Sequence, residues 1–245
     1  MAAVDAPQQS PFVKQLAAND RQTRDKAVSS LRTYLSGKKH FGEMELLKLW
    51  KGLFFCMWMS DRPRTQQRLA IDLAGLVEVL PEETALSFLE AFWKTMAREW
   101  NGIDVLRMDK FLLLVRTYLN ASFRYLQRRG WADVKTIEAY TTILSSTPLN
   151  PTDGKIPNGL RYHVIDIYVD ELDKVDRPRS GDMPLERLLE PLRKLEKESA
   201  TKAVRQRTRE TLTDDRLADW TKEEEDPVEE DTEEDKNKEW GGFDG

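Results

Sequence analysis

Two histidines, one cysteine and 43 carboxylates are the groups in this 245-residue chain with a capacity for chemistry. His40 and His163 are distant in sequence, and Cys56 stands alone. No intrachain disulfide can form, and zinc cages built from several cysteines or histidines are excluded. His163 and Asp166 share the i, i+3 spacing of an acid–base pair on a helix. A structural histidine with satisfied hydrogen bonds is the expected reading. Cys56 sits inside the apolar run Leu53, Phe54, Phe55, Cys56, Met57, Trp58, Met59 with no base beside it. Burial is expected for it, not nucleophilicity. The twelve glycines are scattered, with no GxGxxG, GxxxxGK[ST] or GxSxG arrangement. No catalytic residue, metal site, cofactor or small-molecule substrate is expected.

Charge points to binding instead. Charged residues make up 33% of the chain, above the ~25% usual for globular domains. The net charge of −5 conceals a division: residues 221–240 hold eleven acids and three lysines, and Asp244 adds one more acid. Residues 1–220 hold 35 bases against 31 acids. Three basic groups are candidate phosphate contacts: Arg62, Arg64 and Arg68; Arg124, Arg128 and Arg129; and Arg193, Lys194, Lys197, Lys202, Arg205, Arg207 and Arg209. The last is expected to contribute most to RNA affinity, by ordering on its ligand. With no RNP, KH or zinc-knuckle signature, any RNA contact is expected through phosphates and shape. A solvated charged face is the alternative for each group. The acidic segment carries Trp240 and Phe243, a candidate docking pair. It is open to three readings: a solubilising tail, a mask over the basic segment, or a contact for basic proteins.

The elements positioning these groups read as helices throughout. Asp20 is a plausible N-cap, after which Ala27, Val28, Leu31, Tyr34 and Leu35 recur at helical spacing. Further helices are expected over 43–59, from about 62 with Asp61 as cap, from about 82, over 104–129 and over 132–145. Trp50, Trp58, Trp93 and Trp100 fall on their apolar stripes, and Trp131 is a candidate staple at a helix start. Residues 147–159 are rich in proline and glycine and form a loop of the length that is usually functional or wraps a surface. Residues 160–175 fit helix or strand, and helix is preferred. An amphipathic piece at 185–195 is interrupted by Pro191. Helices starting about every 20 residues give a pair length of ~40, as in HEAT-like repeats; a non-repeating bundle is the alternative. The expected organisation is a flexible 1–10, an all-α, HEAT-like domain over 11–176, a basic extension over 177–210 that folds on binding, and a disordered acidic tail over 211–245. Residues 1–10 lack an apolar stretch, and the longest apolar run is far short of the ~20 residues a bilayer needs. An intracellular, soluble protein is expected.

Three blocks carry a resemblance. They are Trp50 to Pro63 (WKGLFFCMWMSDRP), Asp109 to Arg116 (DKFLLLVR) and Pro157 to Tyr168 (PNGLRYHVIDIY). Together with the opening Phe12 to Ala17, they are similar to the ribosomal RNA-processing protein 1 family. The resemblance covers roughly residues 12–175. It implies a non-catalytic helical factor of the nucleus and nucleolus, needed for processing pre-ribosomal RNA and assembling the large subunit. It implies as partners pre-ribosomal RNA, ribosomal proteins and assembly factors, including a Brix-domain protein and a WD-repeat protein, and it brings no catalytic residues. The expected function is a scaffold in early pre-ribosomal particles. A protein–protein adaptor without RNA contact is the alternative, and an RNA-cleaving enzyme the third.

Overall fold

A computed structural model describes residues 15, 16, 18, 20–37, 40–128, 130–177, 179 and 182–220. Among the described residues ten α-helices run in order: α1 Arg21–Gly37, α2 Glu43–Trp58, α3 Pro63–Ala74, α4 Glu82–Glu99, α5 Val105–Gln127, α6 Val134–Ser146, α7 Asn158–Val175, α8 Leu185–Glu198, α9 Lys202–Leu212 and α10 Asp215–Asp219. Short 3-10 turns, Gly75–Val79 and Trp100–Gly102, lead into α4 and α5. No strand occurs among the described residues. The all-α expectation is met, and residues 160–175 are helix.

Each helix from α2 to α7 packs against the helix two places further on. Helices α2, α4, α6 and α8 therefore form one layer and α3, α5, α7 and α9 the other. That is the arrangement of a helical-repeat stack, in which each apolar stripe is covered by its neighbours in turn. Helix α1 lies against the Gly75–Val79 turn, and α10 against α7.

Local chemistry sets the helix ends. Asp20, Asp104 and Asp133 accept the backbone N–H of Thr23, Arg107 and Thr136 at 2.8, 3.1 and 3.1 Å, satisfying donors the helix cannot. Asp61 does not cap α3. The N-cap is Arg62, and Pro63 occupies the first turn, where its missing N–H costs nothing. The α5–α6 turn places Gly130 and Trp131 consecutively at φ 61° and 63°. Glycine accepts that conformation freely; Trp131 bears a cost of ~1–2 kcal/mol, offset by burial of its ring.

The layers are joined by aromatic packing. The Trp50 ring of α2 lies 5.0, 4.9 and 4.9 Å from Phe88, Phe92 and Tyr118, and its N–H donates to the Phe88 carbonyl at 3.0 Å. Trp50, Trp93 and Trp100 are buried and Trp58 is half-buried, as their stripe positions predict. Buried polar groups add directional ties. Lys110 donates to the Trp58 and Ser60 carbonyls at 2.6 and 2.7 Å; burial pushes its pKa down. Tyr118 donates to the Leu73 carbonyl, and Tyr168 to the Leu188 carbonyl at 2.6 Å.

Two features differ from the sequence expectation. The stretch 177–210, expected as a basic extension that folds on binding, contains α8 and α9, which pack on α6, α7 and each other. Helix α8 runs through Pro191 instead of stopping there. Leu188, Leu189, Leu192 and Leu195 all bury along its inner face, and that burial outweighs the ~3 kcal/mol penalty of an interior proline. Residues 211–220, read as the start of a disordered tail, complete α9 and form α10. Leu217 is buried there, and Trp220 donates to Asp176 Oδ2 at 2.9 Å. Residues 1–10 and 221–245 lie outside the described residues.

Candidate functional site

Alternation of the layers gives the stack two edges. One carries the α2–α3, α4–α5 and α6–α7 connections. There Lys110, at the start of α5, reaches Ser60, and Gly159, at the start of α7, lies against Trp100. The other carries the α3–α4 and α5–α6 connections. There Arg124 meets Glu78, and Gln127 donates to the Val175 carbonyl at 2.9 Å.

The first two basic groups therefore sit on opposite edges. Arg62 and Arg64 stand exposed at the first, with no ion pair among the described residues, while Arg68 faces Asp72 at 3.6 Å. Beside them, Val105 and Leu106 in the first turn of α5 are 89% and 93% exposed. Arg107, the next residue, lies over the Trp58 ring at 4.7 Å. Two adjacent aliphatic side chains held in water on an ordered helix are a feature of contact surfaces. Nothing in the local pattern distinguished them from core residues.

Arg124 and Arg128 belong to a groove of about 800 Å³ that continues into a recess of about 440 Å³. Its walls bring together Arg32 of α1, Arg116 and Arg124 of α5, Lys174 of α7, and Arg177; Arg128 lines the recess. Arg116 and Lys174 bond the buried Glu171 carboxylate at 2.8 and 2.6 Å, and Arg124 bonds Glu78 at 2.6 Å. Arg32, Arg128 and Arg177 are exposed and have no ion pair among the described residues. The groove thus has a fixed, partly neutralised floor and three arginines available to an anion. Arg32, Arg116, Lys174 and Arg177 were not singled out from the sequence. They come from helices far apart in the chain, and each alone looks like an ordinary solvated charge. Arg129 lies outside the described residues.

The third basic group is largely engaged. Arg193 pairs with Glu186 (Nη2–Oε1 2.6 Å), Arg207 with Asp166 (Nη2–Oδ2 2.7 Å) and Arg209 with Glu196 (2.8 Å). Arg205 donates to the Ser199 carbonyl at 2.6 Å, closing the C-terminal end of α8. Lys194, Lys197 and Lys202 remain exposed, without ion pairs among the described residues. Trp240 and Phe243 lie outside the described residues.

The groups weighed for catalysis are occupied structurally. The His163 ring shares a 2.8 Å hydrogen bond with the Leu112 carbonyl, and burial pushes its pKa down. Its would-be partner Asp166 is taken by Arg207. Cys56 is buried, and desolvation pushes its thiol pKa up to about 12. No cluster of three or more metal-ligating side chains occurs among the described residues, and none of the described helices is long and apolar enough to cross a membrane.

Comparison with known proteins gives this helical stack its relatives. The profile of the family described as nucleolar protein, Nop52, matches residues 7–242. The chain belongs to the Nop52 family of nucleolar proteins. Curated relatives agree. It is 44% identical over 181 residues to the ribosomal RNA processing protein 1 homolog B of Homo sapiens, covering 71% of this chain and 24% of the relative. Against homolog A of Mus musculus the identity is 42% over 178 residues, 70% of this chain and 36% of the relative. The Caenorhabditis elegans homolog is 35% identical over 167 residues, 66% of this chain and 41% of the relative. The chain thus spans less than half the length of these relatives. Membership of the Nop52 family places it in the nucleolus.

Proposed function

We propose that this Nop52-family chain serves ribosomal RNA processing as a non-catalytic scaffold in early nucleolar pre-ribosomal particles. On this reading the groove walled by α1, α5 and α7 holds a segment of precursor RNA by its phosphates. The observation that carries it is the convergence of Arg32, Arg128 and Arg177, all exposed and unpaired among the described residues, on one continuous depression. Arginine forks suit phosphate oxygens, and the absence of a base-reading motif fits a contact that positions rather than specifies. The Arg193–Arg209 group takes second place, because four of its seven cations already have partners within the fold. Lys194, Lys197 and Lys202 are its available charges.

The test is titration of a single-stranded precursor RNA fragment with the full chain at several salt concentrations. Arg32→Glu, Arg128→Glu and Arg177→Glu together remove three phosphate contacts. The slope of log affinity against log salt should shrink by about 2, at ~0.7 per contact. The same change at Lys194, Lys197 and Lys202 should shrink it less. Unchanged affinity and slope in the groove variant refute the reading.

A second reading, a protein adaptor, is favoured by exposed Val105 and Leu106 on the opposite edge. The two readings are compatible, since the groove and the apolar pair are on separate edges. The assembly factors implied by the resemblance, a Brix-domain protein and a WD-repeat protein, are candidate occupants of that edge. Crosslinking in purified particles tests this: protein crosslinks from residue 106 support it, and RNA crosslinks there oppose it.

A further inference from the structure

Helices α8, α9 and α10 line a second depression, of about 890 Å³, separate from the groove proposed above to hold RNA. Its lining brings Leu189, Leu212 and Leu217 together with Lys197, Arg205 and Arg209, beside Glu186 and Glu196. We propose that this cleft is the receptor for the chain's own acidic segment, residues 221–245, seating Trp240 and Phe243 on the leucines and the carboxylates along the cations.

Three observations on this chain select that occupant. The first is position. Leu217 is part of the cleft wall, and the segment begins four residues later, beyond a Trp220 anchored by Asp176 and by Arg179 at 4.0 Å from its ring. Glu223, Glu224 and Glu225 follow at once, and Trp240 is 20 residues beyond Trp220. Twenty residues of random-coil polypeptide have a mean reach of about 25 Å, so a tether of that length gives an effective concentration at the cleft of the order of millimolar. A free ligand has no such advantage.

The second is charge. Eleven acids and three lysines occupy residues 221–240. The lining offers Lys197, which has no ion pair among the described residues, and Arg205, which spends one amino group on the Ser199 carbonyl. Arg193 and Arg209 hold Glu186 and Glu196 in surface pairs. Exposed pairs of this kind stabilise by only ~0–1 kcal/mol, so exchange for an incoming carboxylate is easy. The third is shape. A lining of leucines and cations suits an aromatic anchor flanked by acids, and Trp240 and Phe243 are the aromatic residues of the segment. The occupied cleft would withhold Lys197, Arg205 and Arg209 from RNA and from acidic partners until these compete the segment away.

The full chain allows a direct test. Cys56 is buried with its thiol pKa raised to about 12, so Lys236→Cys supplies the one reactive thiol for a nitroxide label. Leucine methyl resonances then report its proximity. At low salt, the signals of Leu189, Leu212 and Leu217 should lose at least half their intensity, while those of Leu53 and Leu73, deep in the stack, keep theirs. The loss should disappear at 0.5 M salt, and likewise when the eleven acids are changed to their amides. Lys197→Glu, an exposed change that leaves the fold intact, should reverse most of it. Broadening that is absent, is spread evenly over the surface, centres on Leu113 in the basic groove, or survives both charge changes overturns the proposal.

Discussion

Replacing Arg161 with methionine should cost the fold about 3 kcal/mol. Arg161 is 5% exposed on α7, and its guanidinium binds the proline- and glycine-rich connection over 147–159. It donates to the Asn150 carbonyl at 2.7 and 3.0 Å, to the Ile156 and Asp153 carbonyls at 2.6 Å each, and to Asn158 Oδ1 at 2.8 Å. Bonds to a charged donor contribute ~1.5–3 kcal/mol each, so four acceptors set a gross ceiling of roughly 6–12. Two terms reduce it. Burying the cation is itself costly, and desolvation pushes the Arg161 pKa down. Asn150 and Asp153 are only half-buried, so water can replace their lost donors; Ile156 is buried, and its carbonyl stays unsatisfied. A net loss of ~3 kcal/mol remains, or about 6–12 °C in Tm for a chain of this size. Urea denaturation gives the number, and hydrogen exchange shows where the loss falls: amides of 147–159 should open first. Lysine is a point charge on a flexible stem and should restore only part of the loss. A methionine variant within ~0.5 kcal/mol of the parent, or full recovery with lysine, would refute the assignment of loop order to this guanidinium.

Alkaline pH should unfold the chain steeply. Burial raises the phenol pKa of Tyr118, Tyr140 and Tyr168, so above pH ~10 the unfolded chain releases protons that the folded one retains. Stability present below pH ~10 is then lost as pH rises, by about 1.4 kcal/mol per pH unit for each tyrosine; Tyr168→Phe should flatten the urea midpoint's pH dependence by that increment, and an unchanged slope would count against it. Gly159→Ala places a Cβ 3.0 Å from the buried Trp100 Nε1, so overpacking of ~1–3 kcal/mol should exceed a helix-propensity gain of at most ~1, and a stabilised variant would show that Trp100 moves aside freely. Val105→Asp with Leu106→Asp should leave the urea midpoint within about 0.5 kcal/mol, since both side chains are in water; sedimentation of tagged protein would then show loss of particle association, and normal association would remove that edge from consideration.

Much of the fold was legible because helical periodicity is a local signal. Trp50, Leu53, Phe111 and Phe123 recur at the spacing that puts them inside. The long α5 ended where Gly130 permits a left-handed turn. The structural roles of His163 and Cys56 also followed from their neighbours in sequence. Local reasoning failed where a cost of one residue was outweighed by tertiary burial. Pro191 argues against a helix, yet α8 passes through it because four leucines bury around it. Residues 202–212 have little apolar content, yet Val204 and Thr208 bury against neighbours that no window of sequence reveals.

The sequence by itself determined the helical class, the buried stripes, the family and the division between a mildly basic body and an acidic segment. Only the tertiary structure decided which cations remain available. Arg207 is neutralised by Asp166, 41 residues away, and Arg124 by Glu78, 46 residues away, whereas Arg32, Arg128 and Arg177 meet around one groove. The physical reason is range. Helix propensity and periodicity act over a turn or two. Pairing of charges acts over a few ångströms of space, and folding brings those charges together from opposite ends of the chain.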